Sequence, residues 1–345
     1  MKRHWIIALL FGGLALVVGF CFLISNVYYN RGMKQMRHSS LERAEKEFRM
    51  AIRLNPLNAE AHYRLSFCIC TIFPIPKVPS KDNMIQEIEK EVRWTIRLKP
   101  NYAEAHYRLG TILSDQGKKE EAVQEFRNSL RLNPYEFHVH WDLGKLYWEL
   151  GKPEEAEKEY REAIRLKPNE IKSPYLLQES LVTALMVQGK YTEAEQEARS
   201  IPEDRGPHFY LGRIFDKQGK FAEAEKEYRE AIKLNPDDYW IYGDLGIVLA
   251  REGKFKAAED TILKGFRCTF YYSDLYYQLG CCYALWGKKE KAIVSLQKAA
   301  DKGFYEWPNM EKDTLLNEVH GDPRFNKIAE KVKENWERFQ NTPPP

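Results

Sequence analysis

Four histidines, His62, His106, His140 and His208, fall at the same place in a recurring pattern, with His106 and His140 34 residues apart. Imidazoles in register are the residues that build metal ladders or proton relays, because they ligate metals when neutral and titrate near neutral pH. Cysteines supply the other soft donors, Cys68 with Cys70 and Cys281 with Cys282. Neither pair is joined by a second Cys/His pair at zinc spacing, and both lie in helical patterns, where small buried hydrophobes are the simpler reading. The histidines recur because the pattern around them recurs, so a place in the core or at its boundary is simpler than a ligand set. No Gly-rich phosphate loop, His-Glu-x-x-His or Gly-x-Ser-x-Gly elbow is present. The reading is of a chain with no catalytic site, no cofactor and no metal.

The elements that carry these residues come at a fixed period. Leu109, Gly110, Gly117, Ala122, Phe126 and Pro134 are followed by Leu143, Gly144, Gly151, Ala156, Tyr160 and Pro168, and later by Leu211, Gly212, Gly219, Ala224, Tyr228 and Pro236. Such a period predicts a solenoid of stacked helix pairs. In the first helix Leu109 and Leu113 share a face at i, i+4, and the small Gly110 allows another helix to come close. Gly117, Gly151, Gly189, Gly219, Gly253 and Gly287 stand where the first helices end and predict left-handed caps. The second helices place Glu157 before Arg161 and Glu225 before Arg229 at i, i+4, each pair contributing about 0.2 to 0.5 kcal/mol on a solvated face.

Length and charge agree with an elongated body. The chain has 345 residues, of which 30% are charged, with a net charge of +3. A mixed surface lacks the one-sided basic footprint of a nucleic-acid binder. Six cysteines are too few for a disulfide framework in so long a chain.

This pattern resembles the tetratricopeptide repeat family over about residues 25 to 306. The resemblance implies an all-α fold, a right-handed superhelical α-solenoid of about eight helix pairs, with units beginning near Val27, Ala59, Ala103, Phe137, Tyr175, Arg205, Tyr239 and Ser273. The first unit has Arg31 where Leu is expected, the fifth is short, and the seventh and eighth lose the closing Pro. In the family one offset of the first helix points into a concave groove, and here it holds Tyr29, Tyr63, Tyr107, Trp141, Phe209 and Tyr277. Neighbouring groove offsets carry Arg64, Phe67, Arg108, Lys145, Arg213 and Lys217, with Asp142, Asp216 and Asp244 as opposing charges. Rings beside guanidinium groups suit an extended peptide or an amphipathic helix. The same rings can also close part of the core between helices, and both can hold at once. The Lys and Asn offsets of the chaperone-tail clamp hold Tyr63, Phe67, Arg108, His138 and Asp142, so recognition of chaperone C-termini is not expected.

Three segments stand apart from the repeats. Trp5 to Ser25 is uncharged over 21 residues, enough at about 1.5 Å per residue to span a bilayer core of about 30 Å. It exceeds a cleavable signal and predicts an uncleaved signal anchor over residues 1–25, with contact to the lipid bilayer. Bulky Phe20 before Cys21 argues against a lipoprotein. The flanking charges do not settle orientation, and a short basic N-terminus favours a soluble part on the non-cytoplasmic side. The second repeat holds an insert, Thr71 to Ser80, with Pro74, Pro76 and Pro79. It reads as a stiff loop folded on its own solenoid, or as a lip over the groove or a foot at lipid headgroups. At the other end Asp322 and Pro323 open a helix whose stripe of Phe325, Ile328, Ala329, Val332 and Trp336 predicts a cap on the last repeat. Residues 26–306 are thus expected to form the solenoid, and 307–345 a capping segment and frayed tail.

The function these features imply is a membrane-tethered scaffold that binds a protein or peptide and supports complex assembly. The alternative is a regulatory or accessory subunit of a membrane-associated enzyme or of secretion or cell-envelope machinery.

Overall fold

A left-handed turn, repeated six times, divides the chain into helices. In the computed structural model Gly117, Gly151, Gly189, Gly219, Gly253 and Gly287 take φ between 68° and 77°. At the first of these, Gly117 N donates to the Ser114 carbonyl and Lys118 N to that of Leu113, both at 2.9 Å. These bonds satisfy carbonyls that a helix end leaves open, in a conformation that glycine adopts without strain. The structure describes residues 2–72, 81–166, 175–202, 206–268 and 272–341, with side chains from Val17 onward except at 81–82, 175, 309 and 340–341.

Every regular element among the described residues is helical. Eight pairs succeed one another: α1 (Lys2–Arg37) with α2 (Leu41–Leu54), α3 (Ala59–Ile72) with α4 (Lys81–Leu98), α5 (Ala103–Asp115) with α6 (Lys119–Leu132), and α7 (Phe137–Glu149) with α8 (Pro153–Leu166). Then come α9 (Tyr175–Val187) with α10 (Tyr191–Arg199), α11 (Pro207–Lys217) with α12 (Phe221–Leu234), α13 (Tyr239–Arg251) with α14 (Phe255–Gly265), and α15 (Ser273–Leu285) with α16 (Lys289–Asp301). The chain closes with α17 (Trp307–Lys312), a 3-10 turn (Thr314–Leu316), α18 (Asn317–His320) and α19 (Pro323–Asn341). Two compact units divide these elements, Met1–Asn169 and Glu170–Pro345. In each unit a helix packs against both its partner and the first helix of the next pair. Each unit is therefore a stretch of α-solenoid.

One contact recurs within the pairs. A Cβ placed on Gly110 would stand 2.7 Å from the ring of Phe126, on Gly144 2.6 Å from Tyr160, on Gly212 2.8 Å from Tyr228, and on Gly32 2.7 Å from Phe48. Each ring lies 16 residues after its glycine and is 2% exposed or less. Burying such a ring contributes about 1.5 to 3 kcal/mol, and the bare glycine is what lets the ring sit against the first helix.

Three expectations at the N-terminus change. Among the described residues no helix is long and apolar enough to cross a membrane. That overturns the single-pass anchor, the bilayer contact through Trp5 to Ser25 and the soluble part on a non-cytoplasmic side. The physical reason lies in how α1 is used. It continues unbroken through the expected boundary at residues 25 and 26, and its second half is the first helix of the first pair. Ser25 is buried with its hydroxyl donating to the Ala51 carbonyl at 2.8 Å, and Gly32 lies under Phe48. Residues 73–80, most of the Pro-rich insert, lie outside the described residues, as does the tail from 342.

At the C-terminus α19 packs on α16 and α17. Asp322 caps it, accepting from Arg324 N at 2.9 Å, and Phe325, Ile328 and Val332 are buried. The Arg324 guanidinium also spans to both oxygens of Glu290 at 2.7 and 2.8 Å, a bidentate pair between α16 and the start of α19. Asn335 donates to the carbonyls of Ala300 and Phe304 at 2.9 and 3.0 Å, satisfying the end of α16.

The Gly144→Ala variant is expected to lose about 1 to 3 kcal/mol of stability by overpacking against Tyr160. Adding Tyr160→Leu should return part of that loss, as read by urea denaturation of the single and double variants. Additive losses would mean that the two positions do not share one contact.

Candidate functional site

Helical geometry sets which side chains remain available on the first helices. Leu109 and Gly110 face the second helix, so the residues just before them, Tyr107 and Arg108, come to the edge of that contact. The same holds at Tyr63 and Arg64 and at Trp141. All ten residues expected to line a groove, Tyr63, Arg64, Phe67, Tyr107, Arg108, Trp141, Lys145, Phe209, Arg213 and Tyr277, keep some exposure, and Lys145 is exposed outright.

In the first unit they form stacked pairs. The Arg64 guanidinium carbon lies 5.6 Å from the Tyr63 ring centre, that of Arg108 5.4 Å from Phe67, and Lys145 Nζ 5.4 Å from Trp141. Tyr63 meets Tyr102 at 4.8 Å between ring centres, and Tyr107 meets the edge of His138 at 4.7 Å. The Tyr107 hydroxyl donates to Asp142 Oδ2 at 2.9 Å, and Lys145 donates to Oδ1 at 3.2 Å. Burial first, then the neighbouring Asp142 carboxylate, raises the Tyr107 phenol well above its ordinary range. Arg64 Nε and Trp141 Nε1 are buried with no hydrogen-bond partner among the described residues. Tyr107 and Arg108 also line a cavity of about 270 Å³ with Cys70, Ile85, Ile88 and Ile112.

The second unit differs. Arg213 lies 5.7 Å from the Phe209 ring centre, and both line a cavity of about 510 Å³ with Lys217, Tyr228, Trp240 and Asp244. Asp244 is pushed up to about 6, by burial first and by Asp216 as well, against the pull of Arg213. Trp240, 45% exposed, was not anticipated at this site, because it stands at the second position of α13, away from the ring column. Tyr277 is covered by the chain itself. The 3-10 turn and α18 pack on α15, the Tyr277 hydroxyl donates to Asp313 Oδ2 at 2.6 Å, and its ring stacks on Phe304 at 4.4 Å. Its place in the expected groove is occupied from within, and it is left out of the binding face below.

The recurring histidines have a shared structural use. Nδ1 meets a second-helix glutamate: Glu91 for His62, Glu125 for His106 at 2.6 Å, Glu159 for His140 at 2.6 Å and Glu227 for His208 at 2.5 Å. Nε2 meets the carbonyl of the closing proline of the preceding unit, Pro56 at 2.9 Å, Pro100 at 3.0 Å and Pro134 at 3.2 Å for the first three. Where the glutamate is ionised both partners are acceptors, and a protonated imidazolium can donate to both at His62, His106 and His140. These three histidines tie their first helix to the second helix and to the entering loop. The sequence signal that could have found this is a His followed 19 residues later by Glu in three repeats, and 29 later across the lengthened second repeat. Cys68, Cys281 and Cys282 are buried, and all six cysteines are free. Among the described residues no group of three His, Cys, Asp or Glu side chains could hold a metal ion.

At His106 the bond to Glu125 leads and raises the imidazole, against burial and Arg131. At His62 and His140 burial lowers it, but the glutamate and proline-carbonyl bonds outweigh burial and the net direction is also upward. A folded-state value above the unfolded one of about 6.5 means stability that is complete below that pH and lost as pH rises through the raised values. The midpoint of thermal unfolding is therefore expected to fall as pH is raised above about 6.5. Replacing His62, His106 and His140 with Gln should flatten that slope, measured by circular dichroism melts across pH.

Helix pairs of fixed period with a ring-and-cation face on their first helices define a helical-repeat protein. Sequence profiles described as tetratricopeptide repeat match residues 89–137, 107–171, 141–208, 207–238, 227–260 and 273–301, together more than half of the chain. The chain belongs to the tetratricopeptide repeat family. No curated protein matches it in sequence. Among solved structures it is similar to the MamA protein, at 20% identity over 58% of this chain and 94% of that one, with a TM-score of 0.42. It is similar also to pilF of Pseudomonas aeruginosa, at 19% identity over 61% and 92% with a TM-score of 0.45. A tetratricopeptide repeat protein from Parabacteroides merdae matches at 17% identity over 89% and 98%, with a TM-score of 0.41.

Proposed function

We propose that this chain is a non-catalytic scaffold that holds a protein partner, as an extended or helical segment, against its first helices and so supports assembly of a complex. A tetratricopeptide repeat array is a scaffold of the kind typical of protein–protein interaction. The observation that carries the finer reading is the run of stacked pairs in the first unit, Arg64 on Tyr63, Arg108 on Phe67 and Lys145 on Trp141. Rings hold the cations in place before binding, so a partner carboxylate or backbone carbonyl meets donors whose rotamer freedom is already reduced. On the second helices many charges pair with one another at i, i+4 instead, as in Arg161 with Glu157 and Arg229 with Glu225, at 2.8 and 2.7 Å, and a stacked pair there is Arg97 on Trp94 of α4 at 5.2 Å. The repeat body over 26–306 is the interaction region in this reading, and 307–341 closes its last pair.

Replacing Tyr107 and Arg108 together with Ala is expected to weaken capture of the native partner by about tenfold or more. Because Tyr107 also supports Asp142, the exposed Lys145→Glu variant provides a second test that leaves the core untouched. Quantitative pull-down, with circular dichroism to verify folding, reads both. Undiminished capture by both folded variants would remove the first unit's first-helix face from the site.

A further inference from the structure

Two tyrosines satisfy an aspartate about one repeat length further on, one in the next helix pair and one in the segment that closes the array. Tyr107 donates to Asp142 at 2.9 Å, 35 residues on, and Tyr277 donates to Asp313 at 2.6 Å, 36 residues on. Phe209 stands at the same offset as Tyr107, two residues before the Leu-Gly pair, and Asp244 stands 35 residues further, at the offset of Asp142. A phenylalanine has no hydroxyl to give. Asp244 accepts one bond, from Gln278 Nε2 to Oδ1 at 3.3 Å, and Oδ2 has no donor among the described residues. Even that bond depends on Gly243, since a Cβ there would collide with the Gln278 side chain.

The place where the missing hydroxyl would lie is open. It belongs to the cavity of about 510 Å³ lined by Phe209, Tyr228 and Trp240, large enough for a phenol ring. The charges around it are unevenly matched. Asp216 is engaged by Arg251, whereas Arg213 and Lys217 make no ion pair among the described residues. A partner lysine could also donate to Asp244, but it would lie beside Arg213 and Lys217 and be repelled by them. A neutral donor on an aromatic body meets every wall, and an acidic neighbour meets the two cations.

We propose that this cavity is a subsite for a tyrosine of the protein partner, its ring against Phe209 and Trp240, its hydroxyl donating to Asp244, and an adjacent acidic residue of the partner facing Arg213 and Lys217. The proposal rests on the scaffold reading above and names the chemistry of what that scaffold holds. Within the chain, the Tyr107–Asp142 and Tyr277–Asp313 pairs are its own template for the contact.

The probes are two fluorescein-labelled peptides, Gly-Glu-Tyr-Glu-Gly and the same peptide with Phe for Tyr, titrated with the full chain and read by fluorescence anisotropy. The Tyr peptide is expected to bind about fivefold or more tightly than the Phe peptide, the worth of one hydrogen bond. That preference should disappear in Asp244→Leu. It should disappear also in Phe209→Tyr, which supplies the hydroxyl from within and should raise the melting temperature. Equal binding of the two peptides by the unmodified chain would overturn the proposal, as would a preference that survives in both folded variants. Should neither peptide bind while Lys145→Glu still loses the native partner, the tyrosine subsite falls and the scaffold reading stands. A Tyr preference with partner capture indifferent to Lys145→Glu would support the subsite and move the binding face out of the first unit.

Discussion

The seating of a second-helix ring on a bare first-helix glycine, 16 residues earlier, is the contact on which the rest of this structure depends. Phe48, Phe126, Tyr160 and Tyr228 each lie where a Cβ on Gly32, Gly110, Gly144 or Gly212 would be. Because the ring fills that position, the two helices of a pair approach closely and in one register. The left-handed glycine between them then fixes how the chain returns. Two pairs use an aliphatic side chain instead, Ile262 over Gly246 and Leu296 over Gly280. The remaining two pairs have no glycine there and bury Ser66 and Val182 at the same position. Histidines add a second tie, joining the first helix to the glutamate of the second and to the proline that ended the repeat before.

This packing decides what is left for a partner. With Leu109 and Gly110 turned to the second helix, the ring and cation before them are held at its edge, half-buried and already stacked. The same repeat offset changes by single substitutions, and each change has a physical consequence. Tyr107 reaches across and closes its layer on Asp142, while Tyr277 closes its layer on Asp313 from the chain's own tail. Phe209 leaves its layer open. A face that is chemically periodic is therefore not uniform, and its differences lie at the positions where an otherwise repeated hydrogen bond is missing.

Much of the fold was legible because it depends on local rules repeated many times. Observed helices begin at Ala59, Ala103, Phe137, Tyr175, Tyr239 and Ser273, where the family resemblance places repeat starts, whereas no helix begins at Val27, which lies inside α1, and Arg205 lies outside the described residues; the glycine caps are where a helix must stop. What was not legible depends on context that a period does not carry. The apolar run from Trp5 has the length of a span, yet it is the first half of a helix whose second half is claimed by Phe48 and Ala51. Tyr277 has the spacing of a groove residue, but the segment after Phe304 has no repeat pattern to reveal that Asp313 would cover it. The His to Glu interval was present in the sequence, and its constancy at 19 residues could have named the partners. The open carboxylate at Asp244 could not be seen from its own position, since it follows from what Phe209 lacks.

The central claim, that partner contact falls on the first helices and not on the second, is tested most directly by site-specific photocrosslinking in cells. A benzophenone side chain would replace Lys145 or Lys217 on the first helices, and Lys158 or Lys226 on the second, all four exposed. The account predicts partner adducts from positions 145 and 217 and none above background from 158 and 226. Adducts of equal yield from the second helices, or from those alone, would contradict it.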